Sequence, residues 1–417
     1  MISRGASQQS SASFNRRIVL DLVRRSGEIS RKDLVSQVAL SPQTVANITR
    51  ELESSDILVS RRRKAKKSRG QPPIVFALNP HGGMSIGISL EPGLVSAALV
   101  NLTGELLESE RLELDSNNPE VCLEAMLSMV SRLKSKAGAD ARVWGIGVSL
   151  PGPFGAGELS FVGPTAFDGW QDLRVLEQLH DKTGLHVSFS TDSKAGALGE
   201  SLYGAAKNLK NFFYVHIGYG LGGVLVNGAS VYQGADGNAT ELGHVPIAPG
   251  GRQCNCGNRG CLERYVSILA FSEHYKRRGM EPPGMEQVGN LILQDDEILV
   301  EWLEEASVHL RHAICFIENT LDPETIVIGG GAPRVLVERL IEGTHPQMHS
   351  VRGGRGRETA RVIPAQHQAE SAILGAAVLP IHDMIAPRLE SPQREQQPDH
   401  RAENILGYRP RPAVGKL

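Results

Sequence analysis

The chain has 417 residues, 41% of them hydrophobic, and a formal net charge of −2, which by length suggests two to three domains with ample material for a core. No apolar run approaches the roughly 18 residues of a membrane span, and the opening MISRGASQQSSASFNRR lacks the hydrophobic stretch of a secretory signal, so a cytoplasmic protein with no membrane partner is expected. The near-neutral total hides a division, because residues 1–80 carry 15 Lys and Arg against 6 Asp and Glu while the rest carries 29 against 40; such asymmetry points to a basic module for a polyanionic partner joined to an acidic body.

In the basic module, FNRRIVLDLVRRSGEISRKDLVSQVALSPQTVANITRELESSDILVS reads as three short helices. Ile18, Val19, Leu22 and Val23 share one face of the first. Ser30 and Asp33 open the second as a capping box. Ser41 caps the third, with Pro42 at its first position and Val45, Ile48 and Leu52 on the buried side. The opposite face presents Gln43, Thr44, Asn47 and Arg50, groups that can read base edges or hold phosphates, although a solvated helix face would look the same. Two strand-like runs follow around a loop bearing Arg61, Arg62, Arg63, Lys64, Lys66, Lys67 and Arg69. A basic wing directly after a helix-turn-helix suits the backbone and minor groove of double-stranded DNA.

After Asn79-Pro80 the chain becomes a glycine-rich alternation of strands and helices, with GMSIGISL, VWGIGVSL, FFYVHIGYGLGGVLV and TIVIGGG as strand candidates. Parallel or mixed sheets under covering helices are expected, arranged as two related lobes around a cleft. Within GHVPIAPGGRQCNCGNRGCLE, Cys254, Cys256 and Cys261 lie within eight residues, and His244 stands ten positions before the first. Three thiols and an imidazole form a complete tetrahedral donor set for one structural zinc ion per chain, with no position left for a catalytic water. A disulfide, a redox pair or incidental buried cysteines are the rival readings, but the cysteine count is odd and Cys122 and Cys315 lie far away in apolar sequence. From Ala386 to the end, Pro, Gln and charge dominate with little to bury, the composition of a disordered tail.

Together these motifs resemble the ROK family of sugar kinases and sugar-responsive repressors, across essentially the whole chain to about residue 385. ELGHVPIAPGGRQCNCGNRGCLE is similar to the family signature and zinc motif, and SLPGP, TDSKAGALGE, GYGLGGVLVNG and LDPETIVIGGG follow in family order. The resemblance implies an actin-like, ribonuclease-H-like α/β body of two lobes behind an all-α winged helix-turn-helix. The expected units are a DNA-binding domain at 1–80, a first lobe at 81–196 completed by about 375–385, and a second lobe with the zinc loop at 197–374. It further implies that Asp192, Glu241, His244 and Glu263 hold a sugar, with Gly152 of the SLPGP loop as a further contact.

Departures from the kinase pattern bear on activity. Ser89–Gly93 reads SLEPG where the kinases carry a phosphate loop; Ser89 cannot organise magnesium, Glu91 would repel phosphates and Pro92 lacks a backbone donor. Tyr219 replaces a threonine, Lys194 stands at an asparagine position, and Thr165, Ala166 and Asp168 occupy a segment expected to hold a sugar-contacting asparagine. Lys194 could admit an acidic or phosphorylated ligand. The expectation is therefore a sugar-responsive repressor, not an enzyme, acting on operator DNA as a homodimer or dimer of dimers. An active ROK sugar kinase with Asp192 as general base, and a scaffold using the zinc loop to bind a protein, are the alternatives.

Overall fold

The computed structural model describes residues 8–62, 73–138, 140–152, 170, 174–228, 230–235, 237–352, 358–367 and 370–385. The expected tail at 386–417 lies outside them. The basic module begins with α1 (Gln8–Ser26), longer than the sequence suggested, then β1 (Ile29–Ser30), α2 (Arg31–Gln37), α3 (Pro42–Ser54), β2 (Leu58–Arg62) and β3 (Ile74–Leu78). Ser30 Oγ accepts the Asp33 N–H at 3.1 Å and donates to the Asp33 carboxylate at 2.7 Å. Ser41 Oγ accepts the Thr44 N–H at 3.1 Å, so both helices start where their capping residues stand. Val45, Ile48 and Leu52 of α3 are buried, as are Val19, Leu20 and Val23 of α1. The strands form an antiparallel sheet in the order β1-β3-β2, with β2 packed against α3.

The body opens with β4 (Met84–Glu91), β5 (Leu94–Asn101), β6 (Leu106–Glu113), α4 (Pro119–Ala137), β7 (Val143–Leu150), α5 (Arg174–Thr183), β8 (Val187–Thr191) and α6 (Asp192–Tyr203). It continues with β9 (Asn211–Ile217), β10 (Leu221–Asn227), β11 (Ser230–Val231), α7 (Ile268–Arg277), α8 (Val288–Leu293), α9 (Glu297–Leu321), β12 (Thr325–Gly329), α10 (Arg334–Gly343), β13 (Val362–Pro364) and α11 (Ser371–Ile385). The two five-stranded sheets run β6-β5-β4-β7-β8 and β11-β10-β9-β12-β13. In each, an antiparallel meander gives way to two parallel strands. The same topology used twice makes the lobes related. FFYVHIGYGLGGVLV is not one strand, because Gly218–Gly220 turn it into the β9–β10 hairpin.

Helices α4 and α5 cover the first sheet with Cys122, Met126, Met129 and Leu176, while α7, α9 and α10 cover the second with Phe271, Trp302, Leu310 and Leu336. Between the lobes lie α6 and α11. Ala197 of α6 joins Phe212, Tyr214 and Val224 of the second sheet, while Gly87 and Gly147 leave room for the α11 backbone on the first. A Cβ at Gly375 would overlap the Ala195 carbonyl, so the two helices meet backbone to backbone. The expected division at 196/197 falls within α6, a single continuous helix. Among the described residues, no helix is long and apolar enough to cross a membrane.

Candidate functional site

The cysteine-rich loop is folded by its own backbone. The carbonyl of Gly260 accepts the N–H groups of Ile247 and Ala248 at 2.9 and 3.1 Å. At φ +78°, with the Ala248 carbonyl where a Cβ would stand, position 260 requires glycine. This fold brings together His244, Cys254, Cys256 and Cys261, whose ligand atoms all lie within 4.8 Å of one another. Cys254 Sγ is 3.6 Å from His244 Nδ1, and Cys256 Sγ is 3.6 Å from Cys261 Sγ. Sulfurs about 2.3 Å from a tetrahedral zinc stand about 3.8 Å apart, so the donor set fits that ion. Cys122 is buried in α4, its thiol pushed up to about 11 by desolvation, and Cys315 is on α9. All five cysteines are free.

Next to this loop the fold gathers several carboxylates. Thr191 caps α6, which makes Asp192 its first residue. Asp192 Oδ1 accepts the Ser193 N–H at 2.6 Å, and Oδ2 lies 3.6 Å from His216 Nε2. Glu263 Oε2 accepts the Leu221 N–H at 3.0 Å, which ties it to the β9–β10 turn. Glu241 is exposed as a residue, yet desolvation of its carboxyl pushes it upward; His244 and Lys194 draw it back, and Asp192 and Glu263 raise it further. Burial lowers the Lys194 ammonium against the pull of Glu241. Its Nζ donates to the Gly237 carbonyl, which engages the charge offered as a reason for an acidic ligand. His244 points Nδ1 at the thiols, leaving Nε2 on the other edge of its ring.

One member of this cluster, His216, escaped sequence reasoning, and another, Glu91, was read there only as an obstacle to phosphates. His216, on β9, is 4% exposed, and its Nδ1 has no hydrogen-bond partner among the described residues. Its signal was one imidazole inside the apolar run FFYVHI. Glu91, at the end of β4, is open to solvent on one side, but the surrounding residues raise its carboxyl by desolvation. His216 and Arg111 oppose that rise and Asp192 adds to it. Gly152 lies half-buried two residues beyond β7. Thr165, Ala166 and Asp168 fall outside the described residues.

On the basic module, Gln43, Asn47 and Arg50 are exposed along α3 and Thr44 is half-buried. Gln43 Nε2 and Arg50 Nη1 reach Asn47 Oδ1 at 3.0 and 3.4 Å, forming one polar row. Arg61 and Arg62 lie in β2 rather than in the loop, because the strand continues pairing through Ile74. Arg61 is ion-paired with Glu28, and Arg62 is exposed. Arg63, Lys64, Lys66, Lys67 and Arg69 lie outside the described residues.

The xylose repressor of Bacillus subtilis (strain 168) is 27% identical over 316 residues, covering 75% of this chain and 81% of its own length. The putative xylose repressor of Caldicellulosiruptor sp. is 25% identical over 390 residues, covering 89% and 96%. A solved ROK family transcriptional regulator, described as a homolog of the E. coli MLC protein, superposes with a TM-score of 0.71 at 26% identity over 90% of this chain and 98% of that one. A Streptomyces griseus glucokinase in complex with glucose and AMPPNP shares the body fold, with a TM-score of 0.59 at 22% identity over 71% and 99%. The two-lobed, actin-like body coincides with the ROK family profile, which matches residues 86–382, and the chain belongs to the ROK family.

Proposed function

We propose that this protein is a DNA-binding transcriptional repressor controlled by a sugar or sugar derivative held between its lobes, and that it is not a kinase. The observation that supports this reading is the presence, in one chain, of a polar row on α3, of Asp192 at the start of α6, of Glu263 held against the β9–β10 turn, and of Glu241 just before the candidate metal ligand His244. Each carboxylate can accept two hydroxyl hydrogen bonds, which orients a polyol as an apolar wall could not. Gly152 would let the sugar approach the backbone of its loop. A relative named as a putative xylose repressor matches over 89% of the chain.

The nucleotide side of the cleft supports the negative half of the proposal. A triphosphate needs donors and a carboxylate-held magnesium, but the β4–β5 turn offers Glu91 near Asp192 and a proline without an N–H. Zinc, one ion per chain, would be held by His244, Cys254, Cys256 and Cys261. Its role would be to steady the loop that carries Glu241 and Glu263, since four protein ligands leave no open position. Residues 1–80 would form the reading head, and the lobes at 81–196 with 375–385 and at 197–374 would share α6, which crosses their boundary. One recognition helix spans few base pairs, so a homodimer or dimer of dimers would read half-sites about 10 base pairs apart or a multiple of that. The test pairs an ATP-consumption assay over pentoses, hexoses and amino sugars with operator binding over the same panel. A sugar-dependent change in DNA affinity without ATP turnover is expected. Sugar-dependent phosphoryl transfer would establish the kinase instead.

A further inference from the structure

Helix α6 connects two places that the proposed function must couple. Its first residue is Asp192, in the cleft; Leu202, in its last turn, is ten residues on, about 15 Å along the axis at 1.5 Å per residue. The carbonyls of a helix's last turn have no partner within the helix. Here a residue of the DNA-reading head supplies one. Arg24, near the end of α1, donates to the Leu202 carbonyl, and its Nη1 lies 3.5 Å from that of Ser201. The guanidinium is 3% exposed and is anchored within α1 by Asp21 at 2.6 Å. A cation at the negative end of the helix dipole is also favourable.

A second tie of the head to the interlobe helices is of a different kind. Val19, Leu20 and Val23 of α1 share an apolar cluster with Leu374, Ala377 and Ile381 of α11. Apolar contact is non-directional and survives small displacements, whereas a charge-assisted hydrogen bond weakens steeply with distance and angle. A ligand that draws Asp192 toward Glu241 and Glu263 displaces the start of α6. Because the helix is continuous and packed backbone to backbone against α11 at Gly375, the displacement reaches Leu202 undiminished by any break. We propose that Arg24 is a positioning residue that transmits occupancy of the sugar cleft to the DNA-reading head by following the carbonyl end of α6. The inference rests on the sugar-responsive reading above, and names the contact through which that response passes.

The test uses the full chain and Arg24→Met, which keeps an apolar stem in the site. Asp21 retains Arg25 at 2.8 Å in that variant, so no carboxylate is left without a cation. Operator DNA is selected from a random pool by the wild type. Its affinity is measured by fluorescence anisotropy with and without saturating D-xylose or D-glucose, and sugar affinity is measured separately by calorimetry. In the wild type the sugar changes operator affinity by about 5- to 150-fold, the usual range for coupled sites. In Arg24→Met sugar affinity stays within about twofold of wild type while that change falls to about twofold or less, at most about 0.4 kcal/mol of coupling. A merely structural role would lower the melting temperature without separating the two affinities. A wild-type response retained in full by Arg24→Met overturns this inference alone. A wild type that binds sugar without any change in operator affinity overturns the sugar-responsive reading and the inference with it. Arg24→Lys, which keeps the charge but not the fork, and Asp21→Asn, which frees the guanidinium from its anchor, should each weaken coupling; if Arg24→Met fails to fold, full coupling in both of these overturns the inference.

Discussion

The two carboxylate oxygens of Glu263 have different tasks, and this makes a substitution there informative. Oε2 accepts the Leu221 N–H at 3.0 Å, and a Cβ at Gly220 would stand 2.6 Å from it, so the side chain lies close against the β9–β10 turn. Oε1 makes no hydrogen bond among the described residues, and under the proposed function it would be the acceptor for a sugar hydroxyl. In Glu263→Gln the amide oxygen can take over the Leu221 N–H, leaving a neutral NH2 where the ligand expects an anionic acceptor. Hydrogen bonds to charged groups contribute about 1.5–3 kcal/mol and neutral ones about 0.5–1.5 kcal/mol. Their difference, about 1–1.5 kcal/mol, corresponds to roughly a 5- to 10-fold loss of sugar affinity. Glu263→Ala removes the bond altogether, for a loss of about 10- to 150-fold, and also strips Leu221 of its acceptor. Calorimetric titration with the sugar that binds the wild type, alongside the melting temperature of each variant, measures both effects. If Glu263→Gln bound that sugar as tightly as wild type, Glu263 would not touch the ligand and the placement of the sugar would be wrong.

Metal analysis of protein purified without chelator should find about one zinc per chain. Cys256→Ala should lose the ion and weaken sugar binding while sugar-free operator affinity stays near wild type; metal-free wild type with full sugar affinity would contradict this. Gly375→Ala should lower stability by about 1–2 kcal/mol, because overlap with the Ala195 carbonyl costs more than the roughly 1 kcal/mol of helix propensity gained. A melting temperature equal to or above wild type would show that α6 and α11 are free to separate. Burial raises the Glu91 carboxyl above its ordinary value of 4.5, so the folded state carries a penalty that appears as pH rises through 4.5 toward the folded value and persists above it. Glu91→Gln should therefore melt higher than wild type at pH 7, with the gain fading below about pH 4.5; a gain that grew on acidification would reverse the sign of the argument.

Chemistry that is local in the chain was legible before the fold. Cys254, Cys256, Cys261 and His244 are close enough in sequence for one loop to gather them, and Ser41 with Pro42 marks the start of α3 through groups that act on their immediate neighbours. Juxtapositions set by topology were not legible. Glu91, Asp192 and His216 come from β4, α6 and β9 and meet only because the two lobes face each other. The β9–β10 hairpin was hidden because its turn, Gly218–Gly220, sits inside one apolar run. Helix α11 is buried nearly all round and contains Pro380, so it lacks the polar face that gives an amphipathic period. Arg24 gave no signal either, since an arginine near the end of a helix usually points into water, whereas here it is buried and bonded to the end of α6.

The most direct test of the account is sugar affinity measured with and without saturating operator DNA. Coupling between two sites is reciprocal. If the cleft governs the head, operator must therefore change sugar affinity by the same factor by which sugar changes operator affinity, and a near-complete switch from about 99:1 to about 1:99 requires roughly 5.5 kcal/mol of differential affinity. The account predicts that operator-bound protein takes up the sugar more weakly, and that the two factors agree. Equal sugar affinity for the free and the DNA-bound protein would contradict it.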